Sequence, residues 1–300
     1  MSARGRLIDR VAAAPISWGV CEVPGWGVIL PRARVLAEMR GLGFRATELG
    51  AFGYLGETAG EITRVLTEAS LTALGGFVPL VLHAAGHDHD AAARRAAQLI
   101  AGAGGTCFVT AAVVDLSWSA RITLSTSQWD ALGQNLADVD GICRAHGLSQ
   151  VLHPHVGTLI ERVEDIEHVR DHSPTRWCLD TGHLAIGGLD PVHFAADQAK
   201  RVGLVHLKDV DLTLAAAVRA GEVSLLDATR AGLFRPLGTG DVDVAGVVET
   251  LEAQGYGGWY VLEQDVTIDE DAAGRADPAQ DVQTSIEYLR RLDVRLGAPR

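Results

Sequence analysis

Val-Leu-His-Pro-His at residues 151–155 is the stretch that decides the fold. Three later segments share its plan, an apolar run that ends in a side chain able to bind a metal: Trp-Cys-Leu-Asp-Thr-Gly-His at 177–183, Leu-Val-His-Leu-Lys-Asp at 204–209 and Trp-Tyr-Val-Leu-Glu-Gln-Asp at 259–265. The metal-binding side chains are His153, Asp180, His206 and Glu263, at successive intervals of 27, 26 and 57 residues. These intervals suit βαβ units, which need about 30 residues each. Because a (β/α)8 barrel builds its active site at the carboxyl ends of its strands, the sequence predicts an α/β TIM barrel.

The rest of the chain alternates between apolar runs and stretches with helical spacing. The apolar runs predict eight parallel strands buried on both faces, at 11–18, 45–49, 71–82, 107–113, 148–155, 176–180, 203–208 and 258–264. Helices are predicted between them, with Ser125 or Ser127 capping one and Asp190 capping another. Segment 211–240 is long for a barrel loop and predicts a lid-forming or functional insertion with a short helix at 212–220. No Pro/Ser-rich linker divides the chain, so residues 1–300 are predicted to form one domain.

Composition and charge narrow the classes of partner. Of the 300 residues 47% are hydrophobic, which is ample for a core, and the net charge of −12 argues against a nucleic-acid partner. The four cysteines are widely spaced and form no C-x-x-C pair, so free thiols in a reducing compartment are expected. Residues 1–10 lack a signal pattern, and no apolar run reaches the roughly 20 residues of a membrane span. We therefore predict a cytoplasmic protein with no membrane partner.

The four strand-end ligands indicate the kind of metal. Two imidazoles and two carboxylates suit Mn²⁺, Co²⁺, Zn²⁺ or Fe²⁺, whereas an all-oxygen set would favour Mg²⁺ or Ca²⁺. A divalent ion there would polarise a carbonyl or hydroxyl of a small-molecule substrate and stabilise an enediolate. Taken alone, each of the four residues could be an ordinary polar residue at a strand end instead of a metal ligand. All four in register favour the metal site.

Other side chains near the same strand ends are candidates for catalysis and substrate binding. His155 lies two residues beyond His153 and Lys208 two beyond His206, so each shares a strand face with a ligand. With Glu263 they are the predicted catalytic residues. The predicted substrate contacts are Trp18, Glu48, His83 and His183. Each of these contacts has an ordinary alternative, a hydrogen-bonded loop residue or, for Trp18, a core tryptophan.

The chain resembles the xylose-isomerase-like sugar phosphate isomerase/epimerase superfamily of (β/α)8 barrels, and within it the inosose dehydratase branch. The resemblance rests on segments 14–18, 46–50, 153–158, 179–184, 205–209, 238–243 and 255–259 with Glu263 and 277–278. It implies Mn²⁺ or Co²⁺ as the cofactor and dehydration of a cyclic keto-polyol. It also implies pairing of barrels, so a homodimer or higher homo-oligomer is expected. The chain departs from the branch in loop 19–30, which has Gly-Val-Cys-Glu where an acidic pair is expected.

One departure from the epimerases of this superfamily separates the candidate reactions. The resemblance implies that those enzymes carry a glutamate at the position of His153, where it works with the strand-eight glutamate as an acid/base pair. Here only Glu263 remains of that pair. A keto-sugar isomerase or epimerase stays open if His155 or Lys208 replaces the missing base. A barrel that binds without catalysis is the third alternative, and the intact ligand set argues against it.

Overall fold

A ring of parallel strands forms the centre of the protein, which we describe from a computed structural model covering residues 5–84, 88–270 and 277–297. Residues 1–4 of the amino-terminal segment discussed above lie outside the described residues. The strands are β1 Val11–Ala13, β2 Ala46–Thr47, β3 Thr72–Ala73, β4 Gly75–Leu80, β5 Cys107–Ala112, β6 Ser149–Leu152, β7 Trp177–Asp180, β8 Val202–Leu207, β9 Asp209–Val210, β10 Phe234–Arg235 and β11 Tyr260–Leu262. The parallel sheet has the order β3-β2-β1-β11-β8-β7-β6-β5-β4, while β9 and β10 form a separate antiparallel pair.

The parallel sheet closes on itself. Its two ends, β3 and β4, are consecutive in the chain and are interrupted only at Leu74. The Leu49 amide also donates a hydrogen bond of 2.9 Å to the Gly75 carbonyl across the seam. The nine strands of this sheet therefore act as eight barrel strands, and the predicted (β/α)8 TIM barrel is confirmed.

Helices surround the ring, most of them at or near their predicted positions. They are α1 Arg32–Leu42, α2 Ala59–Glu68, α3 His89–Gly102, α4 Thr126–Ala145, α5 Val163–His172, α6 Thr181–Gly187, α7 Pro191–Gln198, α8 Leu212–Ala220, α9 Leu225–Arg230, α10 Val244–Ala253 and α11 Pro278–Gly297. Ser125 caps α4 in a capping box with Gln128, and Asp190 caps α7. Across the described ranges, no helix combines the length and apolarity needed to span a membrane.

Several stretches differ from their predicted structure. The strands predicted at 45–49, 148–155 and 258–264 are shorter, and the one at 71–82 is interrupted, so His153 and Glu263 lie just past the ends of their strands. Residues 11–18 are extended only as far as Ala13, because Pro15 opens a 3-10 helix over Pro15–Trp18. Asp180 caps α6, a helix that was not predicted: its side chain accepts a 2.8 Å hydrogen bond from the His183 amide. Segment 211–240 contains the predicted helix at 212–220 and, in addition, α9 and the β9–β10 pair.

Side chains that point into the ring lie in layers. The lower layer is apolar and contains Ala12, Val109, Val151, Cys178, Leu204 and Val261. Successive inward positions along a strand lie two residues apart, so Asp180 lies one layer above Cys178 and His206 one layer above Leu204. Trp177 and Leu179 belong to the outer core between strands and helices. The upper inward layer, at the carboxyl ends of the strands, is polar.

Candidate metal centre and active site

The four predicted metal ligands meet in this upper layer. His153 Nε2 lies 3.3 Å from Asp180 Oδ2, and the same carboxylate oxygen lies 3.8 Å from His206 Nδ1. His206 Nδ1 in turn lies 3.1 Å from Glu263 Oε2. Bonds of about 2.0–2.2 Å to one metal place nitrogen and oxygen ligands roughly 3–3.5 Å apart. The separations in the site are therefore close to those of a single coordination shell.

Glu48 belongs to the same cluster through the other nitrogen of His206. Its Oε1 atom lies 3.3 Å from His206 Nε2, so the imidazole is held between Glu48 on one side and Glu263 on the other. A histidine that binds a metal through one nitrogen commonly hydrogen-bonds a carboxylate through the second. Glu48, predicted as a substrate contact, thus also contacts a candidate ligand.

Lys208 is the charged centre of the site. Its Nζ atom lies 2.5 Å from Asp265, 3.1 Å from Glu263 and 3.7 Å from Asp180. It also lies 3.2 Å from His183 Nε2. Asp265 was missed by the sequence analysis, although it lies two residues past Glu263 and so continues the inward face of that strand.

Burial and these contacts determine the charges of the site. Burial alone lowers the pKa of Lys208, but Asp265, Glu263 and Asp180 outweigh it and raise that pKa. Burial raises the pKa of Glu263, but His206 and Lys208 outweigh it and lower the pKa well below its usual range. The pKa of Asp180 is likewise lowered, since Lys208 and His153 outweigh burial. The site therefore contains ionised carboxylates beside a cationic lysine.

His155 and His183 form a neutral pair beside this charged centre. Their rings are 3.8 Å apart between centroids. Burial lowers the pKa of His155 to about 3, and burial with the proximity of His155 lowers the pKa of His183. His155 Nδ1 donates a 2.7 Å hydrogen bond to the Val156 carbonyl, which leaves its Nε2 as the nitrogen with a lone pair.

A pocket of about 280 Å³ opens above the cluster. Its floor includes Glu48, His153, His155, His206, Lys208, Glu263 and Asp265. Its walls are largely apolar and include Trp26, Phe77, Trp118, Leu225 and Leu226. The last two belong to α9, so part of the 211–240 insertion covers the pocket. Its volume suits a small molecule that is polar on the side facing the floor.

Three predicted substrate contacts, Trp18, His83 and His183, do not line this pocket. His183 is only 1% exposed and contacts Lys208 instead, with its Nε2 3.2 Å from Lys208 Nζ. Trp18 is fully buried in the outer core, where its Nε1 donates a 2.8 Å hydrogen bond to Glu38. The 3-10 helix at Pro15–Trp18 places the ring there, and Trp26 and Trp118 supply the indoles of the pocket wall instead. His83 is buried three residues beyond the end of β4 at Leu80, so it does not share the strand-end position of the other candidates.

The donor set suits a divalent metal. One ligand atom from each of Glu48, His206 and Glu263 lies within 4.8 Å of the others, and so do single atoms of His153, Cys178 and His206. His153 Nδ1 and His206 Nδ1 are buried and make no hydrogen bond within the described part of the chain. As a group, the carboxylates Glu48, Asp180, Glu263 and Asp265 face both Lys208 and His206. Burial lowers the pKa of His206, but Cys178, Glu263 and Glu48 outweigh it and raise that pKa, so a bound cation would replace the proton that this environment favours on His206.

A closed parallel barrel with histidines and carboxylates clustered at the carboxyl ends of its strands is the architecture of an α/β-barrel enzyme. The chain belongs to the xylose isomerase-like TIM barrel family, which it matches over residues 36–292. It is 30% identical to the rhizopine catabolism protein MocC of Rhizobium meliloti, over 96% of this chain and 90% of that protein. It is 27% identical to an inosose dehydratase of Geobacillus kaustophilus, over 94% of both chains.

Solved structures share the fold at lower identity. An L-ribulose 3-epimerase superposes with a TM-score of 0.69 at 17% identity, over 97% of this chain and 99% of the other. The IOLI protein with a bound zinc atom superposes with a TM-score of 0.69 at 11% identity, over 97% and 100% of the two chains. At these identities the structural similarity establishes the barrel fold only. The reaction has to be inferred from the residues of the candidate site.

Proposed function

We propose that this protein is a metal-dependent hydro-lyase that dehydrates a cyclic keto-polyol such as 2-keto-myo-inositol. The observation that carries the proposal is geometric: His155 and Lys208 lie on the floor of one pocket together with the proposed metal ligands His153, His206 and Glu263. Elimination of water beside a ketone needs one proton acceptor and one proton donor. An imidazole can accept a proton, and an ammonium group can donate one. The inosose dehydratase among the relatives supports the same reaction.

His153, Asp180, His206 and Glu263 are the proposed ligands of a divalent metal, with Mn²⁺ or Co²⁺ expected. When bound, the ion supplies positive charge that polarises the substrate carbonyl and acidifies the neighbouring C–H bond. Glu48 holds His206 from the side opposite Glu263 and so keeps Nδ1 turned toward the carboxylates. This arrangement leaves the pocket side of the cluster open to a substrate.

The proton steps are assigned to the remaining residues of the floor. His155 Nε2 accepts the proton from the carbon next to the carbonyl, since Nδ1 is committed to the Val156 carbonyl. Lys208 donates a proton to the hydroxyl that leaves the adjacent carbon, so that the group departs as water. The remaining enol tautomerises to a dione. His183 and Asp265 hold Lys208 from two sides while it does so.

The proposal is tested by turnover of 2-keto-myo-inositol with the purified, chelator-treated protein to which Mn²⁺ or Co²⁺ is added back. We expect an absorbing dione to form only in the presence of metal. A metal-loaded protein that leaves the inosose unchanged would contradict the reaction but not the metal site.

Isomerisation or epimerisation of a keto-sugar is the second candidate. The observation that favours it is the presence of Glu48 and Asp265 beside Glu263 in the pocket, because an epimerase needs two bases around one carbon. Mass analysis of the product separates the two reactions. Dehydration removes one water from the substrate, whereas epimerisation leaves the mass unchanged and produces no absorbing dione.

A further inference from the structure

Cys178 lies directly below the carboxylate cluster, and neither the proposed reaction nor the proposed ligand set uses it. It points into the barrel from β7, two residues before Asp180, and none of it is exposed to solvent. In the register of the sheet it pairs with Leu204, one layer beneath the pair of Asp180 and His206. Most of its neighbours in the interior apolar cluster are alkyl groups, and the polar layer with Asp180 and His206 lies directly above it.

Two histidines of the upper layer come within reach of this thiol. The Cys178 sulfur, one ring nitrogen of His153 and one of His206 all lie within 4.8 Å of one another. Zinc bonds of about 2.3 Å to sulfur and 2.0–2.1 Å to nitrogen place tetrahedral ligands roughly 3.3–3.6 Å apart. A movement of about 1 Å, within the range of side-chain rotation, would bring the three atoms into one coordination shell.

The histidines also offer free nitrogens for such a shell. His153 and His206 are each 1% exposed, and the Nδ1 atom of each makes no hydrogen bond within residues 5–84, 88–270 and 277–297. His206 Nδ1 lies 3.1 Å from Glu263 without the direction of a hydrogen bond. A buried ring nitrogen without a hydrogen bond is costly, and a bound cation would satisfy it.

We propose that Cys178, together with His153 and His206, forms a thiolate-containing coordination set for thiophilic divalent ions such as Zn²⁺ and Cd²⁺. The two histidines then belong to two alternative ligand sets. One contains the hard oxygen ligands of Asp180 and Glu263, and the other contains the soft thiolate of Cys178. The thiol releases its proton to solvent as the metal–sulfur bond forms. The inference rests on the proposed metal centre, and it implies that Zn²⁺ binds one layer deeper than Mn²⁺ and competes with it for the histidines.

Cadmium binding to the chelator-treated full chain tests this proposal, because a Cd²⁺–thiolate bond gives a charge-transfer absorption in the ultraviolet that Cd²⁺ bound to nitrogen and oxygen lacks. We expect the wild-type protein to show this band at one equivalent of Cd²⁺. Cys178→Ser should lose it. Cys107→Ser should keep it, since Cys107 is a buried thiol of the same interior cluster but, among the described residues, forms no such group with the two histidines.

Affinities for a soft and a hard ion give a second readout. Cys178→Ser should weaken Cd²⁺ binding by at least about tenfold while changing Mn²⁺ binding by less than about threefold. A residue that only packs would leave the ratio of the two affinities unchanged. Absence of the band from the wild-type protein would overturn the proposal even if the serine variant fails to fold.

The outcomes separate this proposal from the proposed function. Cd²⁺ bound without a thiolate band would overturn the role of Cys178 and leave the dehydratase proposal intact. A thiolate band in a protein that leaves 2-keto-myo-inositol unchanged would support the coordination set and contradict the reaction. A protein that takes up neither Cd²⁺ nor Mn²⁺ would overturn both.

Discussion

Two neighbouring layers inside the barrel come from the same strands but differ in chemistry, the lower being apolar and the upper polar. In the lower layer, Val151, Leu204 and Val261 fill the interior with alkyl groups and need only to pack. Two residues further along the same strands, His153, His206 and Glu263 replace them with groups that are costly to bury. Opposite charges offset part of that cost, as between Lys208 and its carboxylates. Moving two residues along each strand therefore changes the barrel interior from a packed apolar core to a polar candidate site.

Removal of a proposed ligand from the upper layer should have the largest effect on metal affinity and turnover. Asp180→Ala is expected to lower metal affinity by more than about 100-fold and to abolish turnover. Loss of a residue that only hydrogen-bonds a metal ligand lowers affinity by at most about 100-fold, and loss of a ligand should cost more. Metal content by elemental analysis and dione formation would be measured on the same preparation. Asp165→Asn is the matched control, since Asp165 is a buried carboxylate bound to Arg121 outside the site. Full activity in the Asp180 variant would refute the metal centre.

Replacement of Lys208 should have a smaller but still large effect. Lys208→Met removes the proposed proton donor and is expected to reduce kcat by about 10²–10⁴-fold. The protein should still bind metal, because the four proposed ligands remain. Lys200→Met is the control, as that lysine is exposed on a 3-10 helix outside the pocket. If the Lys208 variant kept its kcat, the proton donor would have to be another group.

Glu48 offers a more graded test of the polar layer. Glu48→Gln keeps the size of the side chain but removes the charge that faces His206 Nε2. We expect metal affinity to fall by about 10–100-fold, the range for a partner that orients a ligand. Competition with a chelator of known affinity would measure the change. An unaltered affinity would mean that Glu48 contacts the substrate alone, as the sequence predicts.

The smallest effect on the site should come from the lower layer. Leu204→Ala leaves a cavity next to Cys178 and is expected to lower the free energy of unfolding by about 2–5 kcal/mol. Denaturant unfolding would measure the loss. Mn²⁺ affinity should change by less than about threefold, because His206 keeps its contacts with Glu48 and Glu263. A large fall in Mn²⁺ affinity would show that the layers are not independent.

The barrel and the clustering of the four candidate ligands were predictable because both depend on local features of the chain. An apolar run, a helix-length interval and a ligand at the run's end repeat in sequence order, and the ring then places those ends together. The position of Trp18 was not predictable in this way. Pro15 turns residues 15–18 into a 3-10 helix, and only packing against Glu38 and the outer core decides where the indole lies.

The sequence by itself determined the barrel, the histidines and carboxylates at its strand ends and the nitrogen–oxygen character of the proposed metal site. Only the tertiary structure decided which groups meet: Glu48 with His206 across 158 positions, Asp265 with Lys208 across 57, and Cys178 beneath both histidines. Strand period and side-chain chemistry are properties of short segments, and they can be read along the chain. Contacts across the ring depend on how the strands close, and that closure brings together residues far apart in sequence.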